Sequence, residues 1–163
     1  MIRKDTIFTF IAVVFFASAN AQSKTDFYNV KNYGAKADGK TLDGKAINKA
    51  IEVAAKAGGG TVYFPAGNYF TGSIHLQSHV ALYIDQGATI FAAPVSAASG
   101  YDEEEPGAGN QYEDAGHQHW HNSLIWGDSI HDIAILGTGL INGKNLYKDW
   151  AHGAKQSANK AIG

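Results

Sequence analysis

The segment Gly58–Ile90, GGGTVYFPAGNYFTGSIHLQSHVALYIDQGATI, is cut by turn residues at nearly even intervals, and that spacing decides the fold. Thr61–Phe64, Ser73–Leu76, Val80–Ile84 and Thr89–Phe91 are runs of three to five residues rich in β-branched and aromatic side chains. The interruptions Pro65–Asn68, Thr71–Gly72, Gln77–His79 and Asp85–Gly87 hold residues that accept tight turns or positive φ. Strands this short do not make a stable hairpin alone. The pattern predicts a chain that winds onward from strand to strand instead of folding back.

Downstream the same pattern returns. Ser73–Leu76, Leu82–Ile84, Gly87 and Ile90 are echoed by Ser123–Trp126, Ile133–Ile135, Gly137 and Ile141, each offset by 50 or 51 residues. Between the two copies lies a break from Ala92 to about Asn122 with the acidic run Asp102–Glu105 and the dense segment Gly116–His121. A loop of that length is uncommon in a compact domain unless it serves a function. With about 30 residues removed as an insertion, the repeat is about 20 residues, inside the range of solenoids. The fold class read from this is all-β: a right-handed parallel β-helix, first coils only.

Upstream, Asp43 is a candidate N-cap, and Ile47, Ala50, Ile51, Ala54 and Ala55 recur at helical spacing before Gly58–Gly60 ends the run. So narrow a face predicts an N-terminal capping α-helix laid over exposed strand edges. Before it, Arg3 and Lys4 precede the apolar run Ile7–Ala17, and Ala19-Asn20-Ala21 provides a small-x-small cleavage pattern. Residues 1–21 read as an export signal and 22–163 as the β-helix region, which predicts a secreted or periplasmic protein. The apolar run is short for the ~20 residues that span a bilayer, so no membrane association is expected after cleavage.

The 163 residues are one domain's worth at most, and 45% hydrophobic content is enough to build a core. A net charge of −2 gives no electrostatic reason to expect nucleic acid as a partner. Cysteine is absent, which excludes disulfides, thiolate nucleophiles and thiolate metal sites.

Asn29–Gly39 (NVKNYGAKADG), Gly58–Tyr69 and Thr71–Leu76 together resemble the N-terminal region of glycoside hydrolase family 28, the polygalacturonases and rhamnogalacturonases of the pectate-lyase-like superfamily. His119–Gly127 (HWHNSLIWG) and Ile135–Gly143 (ILGTGLING) continue the resemblance, which covers about Asp26 to Lys148. The first blocks are shared with pectate-lyase-like proteins and phage tailspikes, and the later ones point to family 28. Many of its members have Asp where this chain has Asn142.

The resemblance implies inverting hydrolysis of pectic polysaccharide, galacturonan or rhamnogalacturonan. Such chemistry needs one carboxylic acid to protonate the leaving oxygen and a carboxylate base, about 6.5–9.5 Å away, to activate water. The family draws these from Asn-Thr-Asp and Asp-Asp segments, followed by Gly-His-Gly and Arg-Ile-Lys. None of the four occurs here, so no catalytic residue is carried over. Asn159–Gly163 resembles the opening of a further coil. An N-terminal fragment, its catalytic coils missing, is the expectation.

Residues expected to touch substrate are His117, His119, Trp120 and His121, since imidazole and indole faces suit a sugar ring. The alternation of the three histidines, with Glu113 or Asp114, would also fit a divalent metal, but sugar contact is the reading adopted. No metal and no cofactor are assigned. Trp126 reads as core or stacking ladder, and Asp102–Glu105 as a solvated loop. The expected partner is a pectic polysaccharide; oligomeric state is unknown. The alternatives are a noncatalytic polysaccharide-binding or adhesin module, and a pectate-lyase-type enzyme.

Overall fold

The computed structural model describes residues 26–96, 98–103 and 121–146; the expected export signal and the coil opening at Asn159–Gly163 lie outside them. The first elements are β1 (Phe27–Asn29), β2 (Asp38–Leu42) and the helix α1 (Gly44–Lys56). Then come β3 (Gly60–Phe64), β4 (Gly67–Thr71), β5 (Ile74–His75), β6 (Val80–Ile84) and β7 (Ala88–Ala92). After the excursion follow β8 (Ile125–Trp126), β9 (Ala134–Gly137) and β10 (Leu140–Asn142).

The strands sort into three sheets, ordered β1-β3-β6-β9, β2-β4-β7-β10 and β5-β8. Every pairing is parallel. The chain visits the three sheets in rotation, so each coil lies in register on the one before. This is a right-handed parallel β-helix, as the turn spacing predicts.

Alternation within each strand builds the core. In β6, Val80, Leu82 and Ile84 point inward and Ala81 and Tyr83 outward; β7 repeats this with Ala88, Ile90 and Ala92 inside. Register stacks like on like: Val62 on Leu82 on Ile135, and Tyr69 on Ile90 on Ile141. Each such aliphatic side chain, once fully buried, contributes about 1.5–3 kcal/mol. Outside, Phe70 stacks on Phe91 at 5.4 Å, and Phe27, Tyr63 and Tyr83 form a second aromatic ladder. Tyr69 is fully buried, and its hydroxyl donates to the Pro65 carbonyl at 2.6 Å. Burial holds that phenol far above its ordinary pKa.

One register differs from the repeat read in the sequence. Leu82 pairs with Ile135, 53 residues on, and not with Ile133. The shift is two residues, so the same face stays inward. The corner between β8 and β9 holds the extra residues, and the tighter turn into β10 restores the predicted pairing of Ile90 with Ile141.

The helix does cap the stack, but not through the expected Asp43 contact. Asp43 occupies the N-cap position with helical dihedrals and makes no side-chain bond to the helix. Its buried carboxylate instead accepts from the backbone N–H groups of Lys36 at 2.6 Å and Ala37 at 3.0 Å. Burying a carboxylate demands such donors, and the preceding loop supplies them. Ile47, Ala50, Ile51 and Ala54 are buried in the same core as β3 and β6. At the far end Gly59 has φ +118, and a Cβ there would lie 2.6 Å from the His79 carbonyl oxygen one coil later. No helix of the described residues is long and apolar enough to cross a membrane.

Candidate functional site

In the rotation of sheets, α1 stands where a strand of the third sheet would precede β5, and Asn48 replaces the missing strand. Its side-chain N–H donates to the Ser73 carbonyl and its carbonyl accepts from the His75 N–H, both at 2.9 Å. On the other side β5 pairs with β8, setting His75 directly beside Trp126.

Ser73, buried to 1% exposure, ties both limbs of the excursion to the coil. Its N–H donates to the Gly100 carbonyl at 3.1 Å, its hydroxyl donates to the Ser123 carbonyl at 2.7 Å, and the same oxygen accepts from the Asp102 N–H at 3.1 Å. The neighbouring Gly72 permits the approach: a Cβ there would lie 2.4 Å from the backbone of Gly100. Tyr101 plugs in behind, its hydroxyl donating to Ala93 O at 2.7 Å, and burial pushes that phenol up to about 12.

This anchoring delivers Asp102. One carboxylate oxygen accepts from His75 Nε2 at 2.7 Å and from Trp126 Nε1 at 2.6 Å. The imidazole ring of His121 lies 4.0 Å from the indole of Trp126 at 33°, and that of His75 lies 5.2 Å from it. Two aromatic rings, those of His75 and Trp126, thus hold one carboxylate on the outer face of β5 and β8, and the His121 ring stacks on Trp126.

Beside them opens a cleft of about 780 Å³, walled by the start of α1, by β5 and by residues 98–100. Lys45, Lys49, Asn48, Ser73 and His75 are among its lining residues. Glu52 lines it as well, but Lys56 and Lys49 both bond its carboxylate and hold it below the usual range. Concave, partly apolar and with convergent polar groups, the cleft has the size of a ligand site. Among the described residues the carboxylates here, Asp102 and Glu52, are each engaged by two donors.

Of the residues expected to touch substrate, His121 is in this cluster, whereas His117, His119 and Trp120 lie outside the described residues. Trp126 is half-buried and outside the core, and its ring lies against that of His75 on the preceding coil, the stacking position expected of it, because β8 continues the outer face that His75 begins. Asp102 is no free loop charge, since its backbone and carboxylate are both held. The missed signal was Tyr101, an aromatic residue directly before the acidic run.

Comparison with known proteins adds three findings. The family model described as "Rhamnogalacturonase A/epimerase, pectate lyase-like" matches residues 27–162. Among curated proteins, "Probable polygalacturonase" of Vitis vinifera is 32% identical over 129 residues, covering 76% of this chain and 26% of that protein. "Alginate lyase 7" of Azotobacter vinelandii is 45% identical over 85 residues, 49% of this chain and 10% of that one. Among solved structures, the family 28 exopolygalacturonase of Yersinia enterocolitica superposes with a TM-score of 0.58 at 29% identity, over 74% of this chain and 21% of that one. The chain therefore spans between a tenth and about a quarter of the length of these relatives.

Proposed function

The chain belongs to the rhamnogalacturonase A/epimerase, pectate lyase-like family, and we propose that it forms the first coils of a secreted or periplasmic glycosidase that cleaves pectic polysaccharide by inverting hydrolysis. In this reading the region binds a stretch of uronate chain, and the catalytic aspartates belong to coils beyond residue 163. The observation that carries it is the cleft: Lys45 offers a cation for a sugar carboxylate, beside the rings of His75, His121 and Trp126. The identity to a polygalacturonase over 129 residues supports the substrate class.

Two measurements test it. Titration calorimetry of the chain with oligogalacturonides should give binding that weakens as salt is raised and falls several-fold in Trp126→Ala. Equal binding of a neutral xylo-oligosaccharide would refute the uronate reading. Reading the coding sequence past codon 163 tests the hydrolase: paired aspartates in frame support it and a genuine stop refutes it.

A lyase is the second reading, favoured by the 45% identity to an alginate lyase over 85 residues. For the full-length protein, an unsaturated, ultraviolet-absorbing product would mark a lyase. New reducing ends without that absorbance would mark a hydrolase.

A further inference from the structure

The corner that leads into β6 and its counterpart before β9 carry groups that no part of the cleft uses. We propose that His79, His131 and Asp132 form a surface site for a divalent transition-metal ion of the zinc class, which clamps the second coil to the third.

The winding brings these residues together. Val80 opens β6 over Gly60, and Ala81 pairs with Ala134, so extending that pairing back by two residues sets His79 beside Asp132. His79 donates its N–H to the His131 carbonyl at 3.1 Å, and the His131 N–H donates to Ser78 Oγ at 3.2 Å. The backbone at both corners is therefore fixed before any ion arrives.

The side chains converge on one point. Asp132 Oδ2 lies 3.3 Å from His79 Nδ1 and 3.0 Å from His131 Nδ1, and the three ligand atoms all fall within 4.8 Å of one another. Ligands held at about 2.0–2.1 Å around a tetrahedral ion sit about 3.3 Å apart. Two of the three separations already have that value to within a few tenths of an ångström. An ion at the centre replaces the hydrogen bond between His131 Nδ1 and the carboxylate and the ion-pair contact of His79 Nδ1 with it, with each proton carried on the outer nitrogen, Nε2. Two imidazole nitrogens and one carboxylate oxygen suit zinc and its neighbours and not calcium or magnesium, which prefer all-oxygen shells. The side chains are 52%, 64% and 72% exposed, which leaves the fourth position to solvent water.

Backbone geometry is an independent observation. His79 has φ +64 and Asp132 has φ +53, left-handed values uncommon outside glycine. One coil earlier the same column is occupied by Gly59, where such a φ is free of steric cost. Two successive coils thus put side chains capable of binding metal where the first coil has glycine, and none of the three residues lines the cleft.

The test is titration calorimetry of the untagged chain with zinc, together with the visible spectrum of the cobalt form. One ion per chain, a tetrahedral cobalt spectrum and no heat with calcium or magnesium are expected. His79→Ala, His131→Ala and Asp132→Ala should each weaken zinc at least about tenfold. The triple variant His117→Ala, His119→Ala, His121→Ala should leave zinc affinity unchanged. Circular dichroism checks that each exposed substitution leaves the fold intact. Zinc should also raise the melting temperature of the native chain and not that of His79→Ala. Undiminished binding in His79→Ala/His131→Ala, loss of binding in the triple variant, or no binding at tens of micromolar zinc overturns the proposal.

Discussion

Changing Asn48 to Ala removes an amide that completes a strand edge. Two hydrogen bonds of 2.9 Å are lost, one to the carbonyl of the buried Ser73 and one from the His75 N–H. A net contribution of about 1 kcal/mol per bond, plus the cost of leaving the Ser73 carbonyl unpaired, gives a destabilisation of about 2–3 kcal/mol. With an m-value of about 2 kcal/mol/M, the urea midpoint should fall by about 1–1.5 M. Urea unfolding followed by tryptophan fluorescence measures it. Asn48→Asp separates the two bonds: it keeps an acceptor for His75 but turns a carboxylate oxygen toward the Ser73 carbonyl, so it should fall at least as far. Lys49→Ala, one residue on and with an exposed ion pair to Glu52, should shift the midpoint by less than about 0.5 M, because surface pairs contribute about 0–1 kcal/mol. A midpoint for Asn48→Ala within about 0.5 M of the parent, on the order of the Lys49 control, would refute the idea that a side chain stands in for a strand.

Gly72→Ala forces a Cβ to within 2.4 Å of the Gly100 backbone, so residues 98–100 must move away. Oligogalacturonide affinity should drop together with stability, and unchanged affinity would show that this wall is dispensable. Asp85 accepts from Tyr63 Oη and from the Gln86 N–H, which hold its pKa below 3.8. A depressed folded pKa stabilises above the unfolded value and is lost as pH falls through the folded one, so Asp85→Asn should flatten the loss of stability below about pH 4. An acid-unfolding curve parallel to the parent's would count against the link. Tyr69, Tyr101 and Tyr63 should ionise late in a spectrophotometric alkaline titration, Tyr69 and Tyr101 through burial and Tyr63 through its bond to Asp85. Their raised pKa values add stability that is complete below about pH 10 and declines above it. Ionisation of these three near the ordinary value of about 10 would contradict the burial and the bond.

Much of the scaffold was legible because a solenoid writes its period into the chain. The turns of Gly58–Ile90 and their echo after Ser123 gave the winding, and the alanine-rich face of Ile47–Ala54 gave the cap. What escaped depended on contacts between residues far apart in sequence. Asp43 looks like an N-cap by type and position, yet its carboxylate serves the loop amides of Lys36 and Ala37. Asp102 looks like one of several solvated acids, and only the burial of Tyr101 and Ser73 shows why it is aimed at Trp126. The pairing of His79 with Asp132 was beyond reach, since it follows from a register that is two residues off the simple repeat.

The excursion after β7 bears on how such a protein can change. Docking β6 on β3 closes a span of 20 residues, whereas docking β9 on β6 closes one of 53. Loop-closure entropy grows only as the logarithm of length, so the longer span costs about 0.9 kcal/mol more, roughly one hydrogen bond. Ser73 offsets much of that by gripping both limbs of the excursion at their base. A segment of different length and composition can therefore be exchanged at this corner with little effect on the coils on either side. The segment between the two limbs is in that sense replaceable cargo on an indifferent spool.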